Sequence, residues 1–572
     1  MHGVTGRGKR LGCWFAWAAL LLVSSDAAVA QADRDALERI EQARTARQQR
    51  DAAAMAPMAG TGPAGRAWLP PLEGEAPCFP IHHFQWDAQG DAPPFGMVRL
   101  LEALEGYEGA CLGAGSLDRL RQNLDQRLLD AGYVTSRVTL PPQQLTEAVL
   151  TLRLHLGRVG RIVHQRPDGQ ALAVPTGWLP VRPGEVLNLR RVEQGLENAA
   201  RLPSLAAQVA IEPGDAEGFS NLVIRHAAHL PWRLQATVDN EALGDFGRWQ
   251  ASLAGSWDLG WLGADQISFW HHRSAAGLSP ARLQQRSGLS YATAWGASLL
   301  SLSLSDGGHR RVIQGTTLQF SEASHDRGLN LQVQQVVWRG GQGRLSTHIG
   351  VGMREARTFI EDTELLLQRR RSRHLSWGLA AQVRGERWLA DVQVSRQRVL
   401  ANDPRVDLLP EAPPKPRLDA VSLSVQRGFA AWPLAYSGAL DLGWVRDPAY
   451  GSDLQALGGP GSVRGFTGAA QVVGLRSVVL RQDLVWSPAW AQQPAHRHQG
   501  TLGLDLGQVG QPDPAAATPG RDRRLVGVSI SLRSQFPAWG VGSTLSWSRP
   551  ILQPPAWPAR SSRWTLQLTS QY

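Results

Sequence analysis

From Pro231 to its end the chain is written in segments of about ten residues in which apolar and polar side chains alternate, a period that extended backbone alone can use. Leu300, Leu302 and Leu304 alternate with Ser301, Ser303 and Ser305, and Val421, Leu423 and Val425 with Ser422, Ser424 and Gln426. Val526, Val528, Ile530 and Leu532 alternate with Gly527, Ser529, Ser531 and Arg533. The terminal segment, Arg563 to Tyr572, is the clearest: Trp564, Leu566, Leu568 and Tyr572 share one face, with Arg563, Thr565, Gln567, Thr569 and Gln571 on the other. Successive strand residues point to opposite faces, so each segment has an apolar wall and a small or polar wall. A soluble sandwich would show the same alternation but bury its apolar walls between two sheets.

The N-terminus favours a membrane. Arg7, Lys9 and Arg10 precede the short apolar run Leu11 to Val23, and Ala28-Val29-Ala30 offers a small-residue cleavage site, so residues 1–30 read as a secretory signal peptide. No later stretch reaches the roughly 18 to 20 apolar residues that a spanning helix needs. The alternating segments are therefore expected to cross as strands of an all-β transmembrane barrel over residues 231–572, apolar outside and wet within. About sixteen are counted, starting near residues 233, 246, 264, 289, 310, 328, 342, 372, 386, 417, 433, 470, 496, 521, 539 and 562, which is an even number in the channel-forming range. The last of them closes the barrel. The 60 Gly and 22 Trp suit many turns and many interface-seeking aromatics.

A net charge of +10 invites a nucleic-acid reading, but the positive charge is almost all Arg, the only lysines being Lys9 and Lys415. It is scattered along the chain without a nucleic-acid-binding motif, and arginines lining a water-filled lumen account for it. Cys13 leaves with the signal peptide, so Cys78 and Cys111 remain as an even pair in an oxidising compartment. A disulfide is expected, stabilising by roughly 3 to 4 kcal/mol on the chain-entropy account.

Between signal and barrel lie four parts. Asp33 to about Ala54, within residues 31–56, reads as a helix with little apolar surface beyond Leu37, Ile40 and Ala43, suited to water or a wet channel. Residues 57–77 form a Pro/Gly/Ala-rich tether. Residues 78–156 read as a small α/β unit of order β-α-α-β-β: strand Phe79 to Asp87, helix Phe95 to Glu108, a helical stripe of Leu117, Leu120, Leu124 and Leu128, and strands Tyr133 to Leu140 and Ala148 to Leu156. Residues 157–230 repeat it, with Asn188 capping a helix that carries Leu189, Val192 and Leu196 on one face. Such units offer sheet edges and helix grooves to partners.

Catalytic and cofactor motifs are missing from the sequence. The adjacent pairs His82-His83 and His271-His272 would point to opposite faces of a strand, unfit to chelate one metal. Gly458-Gly459-Pro460-Gly461-Ser462 lacks the Gly-Lys-Ser/Thr of a phosphate loop, and there is no Gly-x-Ser-x-Gly elbow. No enzyme, metal or cofactor is expected.

Two features of the barrel half stand out. Gly458 to Gly468 lies between strands within a loop spanning residues 450–470, and its tip, Val463-Arg464-Gly465-Phe466, carries a fixed charge. In Leu502-Gly503-Leu504-Asp505-Leu506-Gly507 the leucines face lipid and Asp505 faces the lumen, with Gly503 and Gly507 leaving room beside it. Arg464 and Asp505 are either a charge-assisted pair pinning the loop inside the channel or two unrelated, separately solvated charges. Spacing leaves both open.

At these residues the chain resembles the two-partner secretion transporters, the outer-membrane haemolysin-activator and filamentous-haemagglutinin transporter family. The resemblance rests on Cys78-Phe79-Pro80-Ile81, on Gly132-Tyr133-Val134-Thr135-Ser136-Arg137-Val138, and on the run Leu187 to Asn198, Leu-Asn-Leu-Arg-Arg-Val-Glu-Gln-Gly-Leu-Glu-Asn. Gly461, Val463-Arg464-Gly465-Phe466 and Asp505-Leu506-Gly507 extend it over nearly the whole mature chain. It implies two periplasmic polypeptide-transport-associated (POTRA) domains, an N-terminal helix that plugs the resting barrel, and a lumen loop whose Arg464 pairs with Asp505. It also implies a large unfolded exoprotein as partner, docked on Leu189, Val192 and Leu196 and exported without ATP by a monomer in outer-membrane lipid. The terminal strand, with Trp564 and Tyr572, resembles the signal read by the barrel assembly machinery. Departures are Arg191 where aspartate is usual, Leu502 where an aromatic is common, and Tyr572 in place of a terminal Phe. An assembly factor for other barrels generally carries more POTRA units and no plug helix, and a passive porin has no use for docking domains.

Overall fold

A computed structural model describes residues 68–572 apart from 88–89, 92–103, 206, 227–229, 243–245, 276–280, 315–317, 404–412, 448, 450–452, 467–470, 511–522, 556 and 558–560. The expected signal peptide, the helix of residues 31–56, most of the tether and most of the helix Phe95 to Glu108 lie outside the described residues.

The first small unit holds β1 (Phe79–Pro80), β2 (His83–Trp86), β3 (Cys111–Leu112), α1 (Ala114–Asp130), β4 (Arg137–Thr139) and β5 (Val149–His155). Its sheet runs β2-β5-β4, and β1 pairs with β3. Leu120, Leu124 and Leu128 on α1 are wholly buried against Leu150, Leu152 and Leu154 on β5, helical and strand periods meeting in one core. Gly113 cannot cap α1 with a side chain, and Glu75 from the tether does so instead, accepting the amides of Gly113 and Gly115 at 3.0 and 2.8 Å. The Ser116 hydroxyl, against an opposing desolvation, joins the Ser116, Gly113 and Gly115 amides in holding the Glu75 carboxyl below its usual range. Cys78 is bonded to Cys111 across a Cα separation of 5.3 Å.

Two strand expectations need correction. Phe79 to Asp87 is two short strands in different sheets, because the chain turns at Ile81-His82 to bury Ile81 completely. Tyr133 to Leu140 is extended in β4 alone, Ser136 donating back to the Tyr133 carbonyl in a turn.

The second unit holds β6 (Arg158–Gln165), α2 (Leu189–Ala200), β7 (Ala207–Pro213) and β8 (Phe219–His226), with sheet order β6-β8-β7. Asn188 caps α2, its side chain accepting the Arg190 amide at 2.9 Å. His164 and His226 are buried and stacked: His226 Nδ1 meets the Leu205 carbonyl at 3.2 Å, and its Nε2 meets His164 Nδ1 at 2.9 Å. Desolvation, with His226 adding to it, pushes the His164 pKa down to about 4.

Sixteen antiparallel strands close into a barrel. They begin with β9 (Trp232–Asp239), β10 (Trp249–Asp258), β11 (Asp265–Ala275), β12 (Leu283–Trp295), β13 (Ser298–Gln314), β14 (Gln319–Arg339) and β15 (Gly343–Ile360). The two-residue β16 (Thr363–Glu364) extends only the tip of β15. Next come β17 (Arg370–Arg384), β18 (Trp388–Asp403), β19 (Arg417–Gly428) and β20 (Leu434–Arg446). The loop hairpin β21 (Gln455–Leu457) and β22 (Val472–Gly474) intervenes, and β23 (Arg476–Trp486), β24 (Arg497–Gly510), β25 (Arg524–Phe536), β26 (Val541–Leu552) and β27 (Arg563–Gln571) complete the wall. Leu300, Leu302 and Leu304 are exposed on the outer face, and Trp295, Trp338, Trp432 and Trp539 ring its short-turn end, as an apolar band with an aromatic girdle requires. Closure is made by the terminal strand, β27 pairing with β9 while Tyr572 and Leu234 exchange backbone hydrogen bonds at 2.9 and 3.1 Å. Trp564 and Tyr572 are both exposed on that strand.

The strands placed near 289, 310 and 328 in fact begin at Leu283, Ser298 and Gln319. Gly296-Ala297 alone joins β12 to β13, too short a turn to leave a compositional gap. The 21 residues of β14 also continue well beyond the apolar stripe that marks it.

Candidate functional site

The hairpin of β21 and β22 carries its tip onto the inner wall of β23 to β26. Leu457, Val463, Phe466 and Val472 from the loop bury themselves with Val479, Val509 and Leu525 from the wall, an apolar patch inside an otherwise wet lumen. Ser462 sharpens the turn, its hydroxyl accepting the Gly458 amide at 2.8 Å. Gly461, buried beside Ser462, completes that turn. Phe466 meets Trp557 edge to face at 5.8 Å.

This packing aims Arg464 at Asp505. Arg464 donates to Asp505 from Nε at 2.7 Å, from Nη2 at 2.6 Å and from its own amide at 2.8 Å, so one carboxylate holds both the guanidinium fork and the backbone of the tip. Asp505 is 0% exposed. Asp483 on β23 takes Arg464 Nη2 at 2.7 Å, and Arg481 lies 3.6 Å from Asp505, so two carboxylates and two guanidiniums balance in one site. Register explains the grouping: Asp505 pairs with Arg481 on one side and Gly527 on the other, and Gly503 pairs with Asp483. Gly527 makes the approach possible, because a Cβ there would stand 1.8 Å from the Arg464 carbonyl oxygen. Gly465 adopts φ +97° against the Arg549 backbone, a conformation that favours glycine. Cβ atoms at Gly503 and Gly507 would meet Arg464 Nη2 and Val463 Cγ2 at 2.5 and 2.6 Å, so the room expected beside Asp505 is occupied by the loop. Asp483, Arg481 and Gly527 escaped the sequence reading. Their signal was the inward register of Arg481 and Asp483 on β23, which becomes legible only once β23 is aligned against Asp505.

The second small unit sits on the short turns of the barrel. Asn198 donates to the Gly296 carbonyl at 2.7 Å and to the Trp178 carbonyl at 2.8 Å, and the Gly296 amide donates to the Gly177 carbonyl at 2.8 Å. Arg339 donates to Gln194 at 2.8 Å, and Glu197 pairs with both Arg339 and Arg344. Ser204 donates to Asp258 at 2.7 Å. The polar half of the run Leu187 to Asn198 thus faces the barrel. Its apolar half needs a correction: Val192 is wholly buried in the unit's own core and Leu189 and Leu196 pack half-buried against it, so this stripe is not a free docking face. An apolar stripe announces burial without naming what covers it. Arg191 pairs with Glu185 at 2.9 Å. His271 and His272 diverge as adjacent strand residues must, to Ser287 on β12 and Ser252 on β10.

A closed sixteen-strand barrel with an internal pinned loop and two small α/β units on its short-turn side defines an outer-membrane protein transporter. Residues 218–534 match the family described as haemolysin secretion/activation protein ShlB/FhaC/HecB, and the chain belongs to that family of two-partner secretion transporters. Residues 79–157 match a ShlB-type POTRA domain and residues 161–213 a further POTRA domain. The outer membrane transporter CdiB-2 of Burkholderia pseudomallei (strain 1026b) is 25% identical over 577 residues, 96% of each chain. The hemolysin transporter protein HpmB of Proteus mirabilis is 31% identical over 150 residues, 26% of each chain. The solved structure of CdiB from Escherichia coli superposes with a TM-score of 0.81 at 22% identity, covering 94% of this chain and 98% of that one. The barrel therefore lies in the outer membrane with its POTRA domains in the periplasm, and a secreted exoprotein is the partner of such a transporter.

Proposed function

We propose that this transporter exports, and thereby activates, a large haemolysin- or adhesin-type exoprotein through its barrel without ATP. The observation that carries this reading is the Arg464 tip, fixed inside the lumen to Asp505 by three hydrogen bonds where a translocating chain must pass. A passive pore has no use for the two POTRA domains that precede the barrel. The unfolded client docks its N-terminal region by adding strands to free sheet edges. In the membrane-proximal POTRA domain β7 is one of the two edge strands, with Ile211 exposed on it. The N-terminal helix of residues 31–56 occupies the resting channel and leaves as the client enters. Folding outside then opposes return. The transporter works as a monomer inserted by the barrel assembly machinery.

The test is co-production with a large exoprotein sought among the genes neighbouring this one. Intact transporter is expected to deliver that exoprotein to the medium, and deletion of residues 78–228 to hold it in the periplasm. Unchanged export by the deletion would favour a passive pore. Loss of other outer-membrane barrels on depleting the transporter would favour an assembly factor.

A further inference from the structure

Arginines on this barrel face two ways. Those toward the lumen are matched, Arg286 with Asp326 at 3.0 Å and Arg311 with Glu322 at 2.7 Å. A second set lies on the outer wall, where lumen solvation cannot account for it. On β14 the stripe Val333, Leu331, Leu329 continues to Arg327, and on β17 the stripe Leu379, Trp377, Leu375 continues to Arg373 and Arg371. Arg339, at the other end of β14, touches the periplasmic POTRA domain. At the rise and tilt of such strands, the stretch from Arg339 up to Arg327 climbs roughly 30 Å, past the top of a ~25 Å apolar band and into the headgroups of the outer leaflet.

The charge there is in surplus. Glu355 on β15 is approached by Arg357 at 2.6 Å, Arg369 at 3.1 Å and Arg371 at 3.5 Å, and Glu364 lies 3.6 Å from Arg369, so three guanidiniums face two carboxylates. Asp306 holds Arg327 at 2.9 Å, with Arg327 still 68% exposed, and Arg371 is 56% exposed. Arg373 is exposed beside Met353 in the strand register, and no carboxylate among the described residues pairs with it. Directly beneath runs a groove of about 790 Å³ floored by Phe269, Leu289, Leu304, Leu329 and Met353, which are exposed on the lipid face. Exposed cations in surplus above an apolar trough on a lipid-facing wall complement an anionic amphiphile.

We propose that this wall, from β11 to β17, binds a phosphorylated lipid of the outer leaflet, with Arg327, Arg371 and Arg373 on its phosphate and an acyl chain along the groove. Glu355 is a positioning residue that holds Arg357, Arg369 and Arg371 in a fixed fan. The site lies on the strands opposite the lumen loop, so an occupant stays clear of the client's path.

Full-length protein in a zwitterionic detergent, titrated with diphosphoryl lipid A and read by native mass spectrometry, tests this. Retention about tenfold above that of the dephosphorylated lipid is expected, with millimolar inorganic phosphate unable to displace it. Arg371→Ser with Arg373→Ser should bring the two lipids to equal retention. Arg373→Lys should keep most of the difference, and Arg427→Ser, at the periplasmic edge, should keep all of it. Heat-modifiable gel mobility checks that each barrel is folded. Equal retention of both lipids by the natural protein, an undiminished preference in the double variant, or full displacement by phosphate would each overturn the proposal.

Discussion

With a Cβ at Gly527 standing 1.8 Å from the Arg464 carbonyl, Gly527→Ala must lift the loop tip from the wall while leaving the β25 pattern intact. Its expected outcome is a larger and noisier single-channel current in planar bilayers, from a folded barrel. Removing a partner from a buried ion pair costs about 3–5 kcal/mol because the other charge is left uncompensated, which makes Arg464 and Asp505 sharp positions. In the first POTRA domain, Cys78→Ser with Cys111→Ser should lower stability by roughly 3 kcal/mol, measured by urea unfolding, since the bond closes a loop across a sequence separation of 33. In the second, His164 has its folded pKa pushed from 6.5 to about 4, so its contribution is complete above about pH 6.5 and is lost as pH falls toward 4. Thermal scans across that window should show this domain weakening, and His164→Gln should flatten the slope. At this scale the pair Arg464 and Asp505 was nameable from the sequence. Gly527 was not, because a glycine between two valines on an alternating strand says only that something small faces inward.

Helix α2 shows what a pattern does and does not disclose. Its stripe of Leu189, Val192 and Leu196 and its Asn188 cap were plain in the sequence, yet the stripe faces its own sheet, and Gln194, Glu197 and Asn198 face the barrel. Periodicity encodes which face is buried, whereas the covering partner is set by residues 98 or more positions away, Gly296, Arg339 and Arg344. Glu197→Gln should loosen this docking, seen as a broadened distance distribution between spin labels on the POTRA domain and on a periplasmic turn. An unchanged distribution would show that the backbone contacts of Gly296 suffice. Element boundaries failed where turns carry no signal, as between β12 and β13, and where short strands change sheet, as at Ile81.

Across the whole molecule the barrel was the most legible part, because alternation with lipid outside and water inside must be obeyed at every strand. Its wall of sixteen strands and its closure by the last of them follow from that single constraint. The arginine excess was half understood: the lumen takes a matched share, and the outer wall takes one only partly balanced by carboxylates, which hydrophobic alternation hides. Tyr572 joins the seam through Leu234 and stands where a terminal Phe is usual, so deleting it should lower the amount of folded barrel in outer membranes. Unchanged insertion would confine the strand to closing the wall. The central claim is that the loop held by Arg464 governs passage of the client. Exoprotein in the medium of cells carrying Arg464→Ala, normalised to folded transporter, measures it most directly: the account predicts a fall to background with the barrel still inserted, and secretion at the natural level would contradict it.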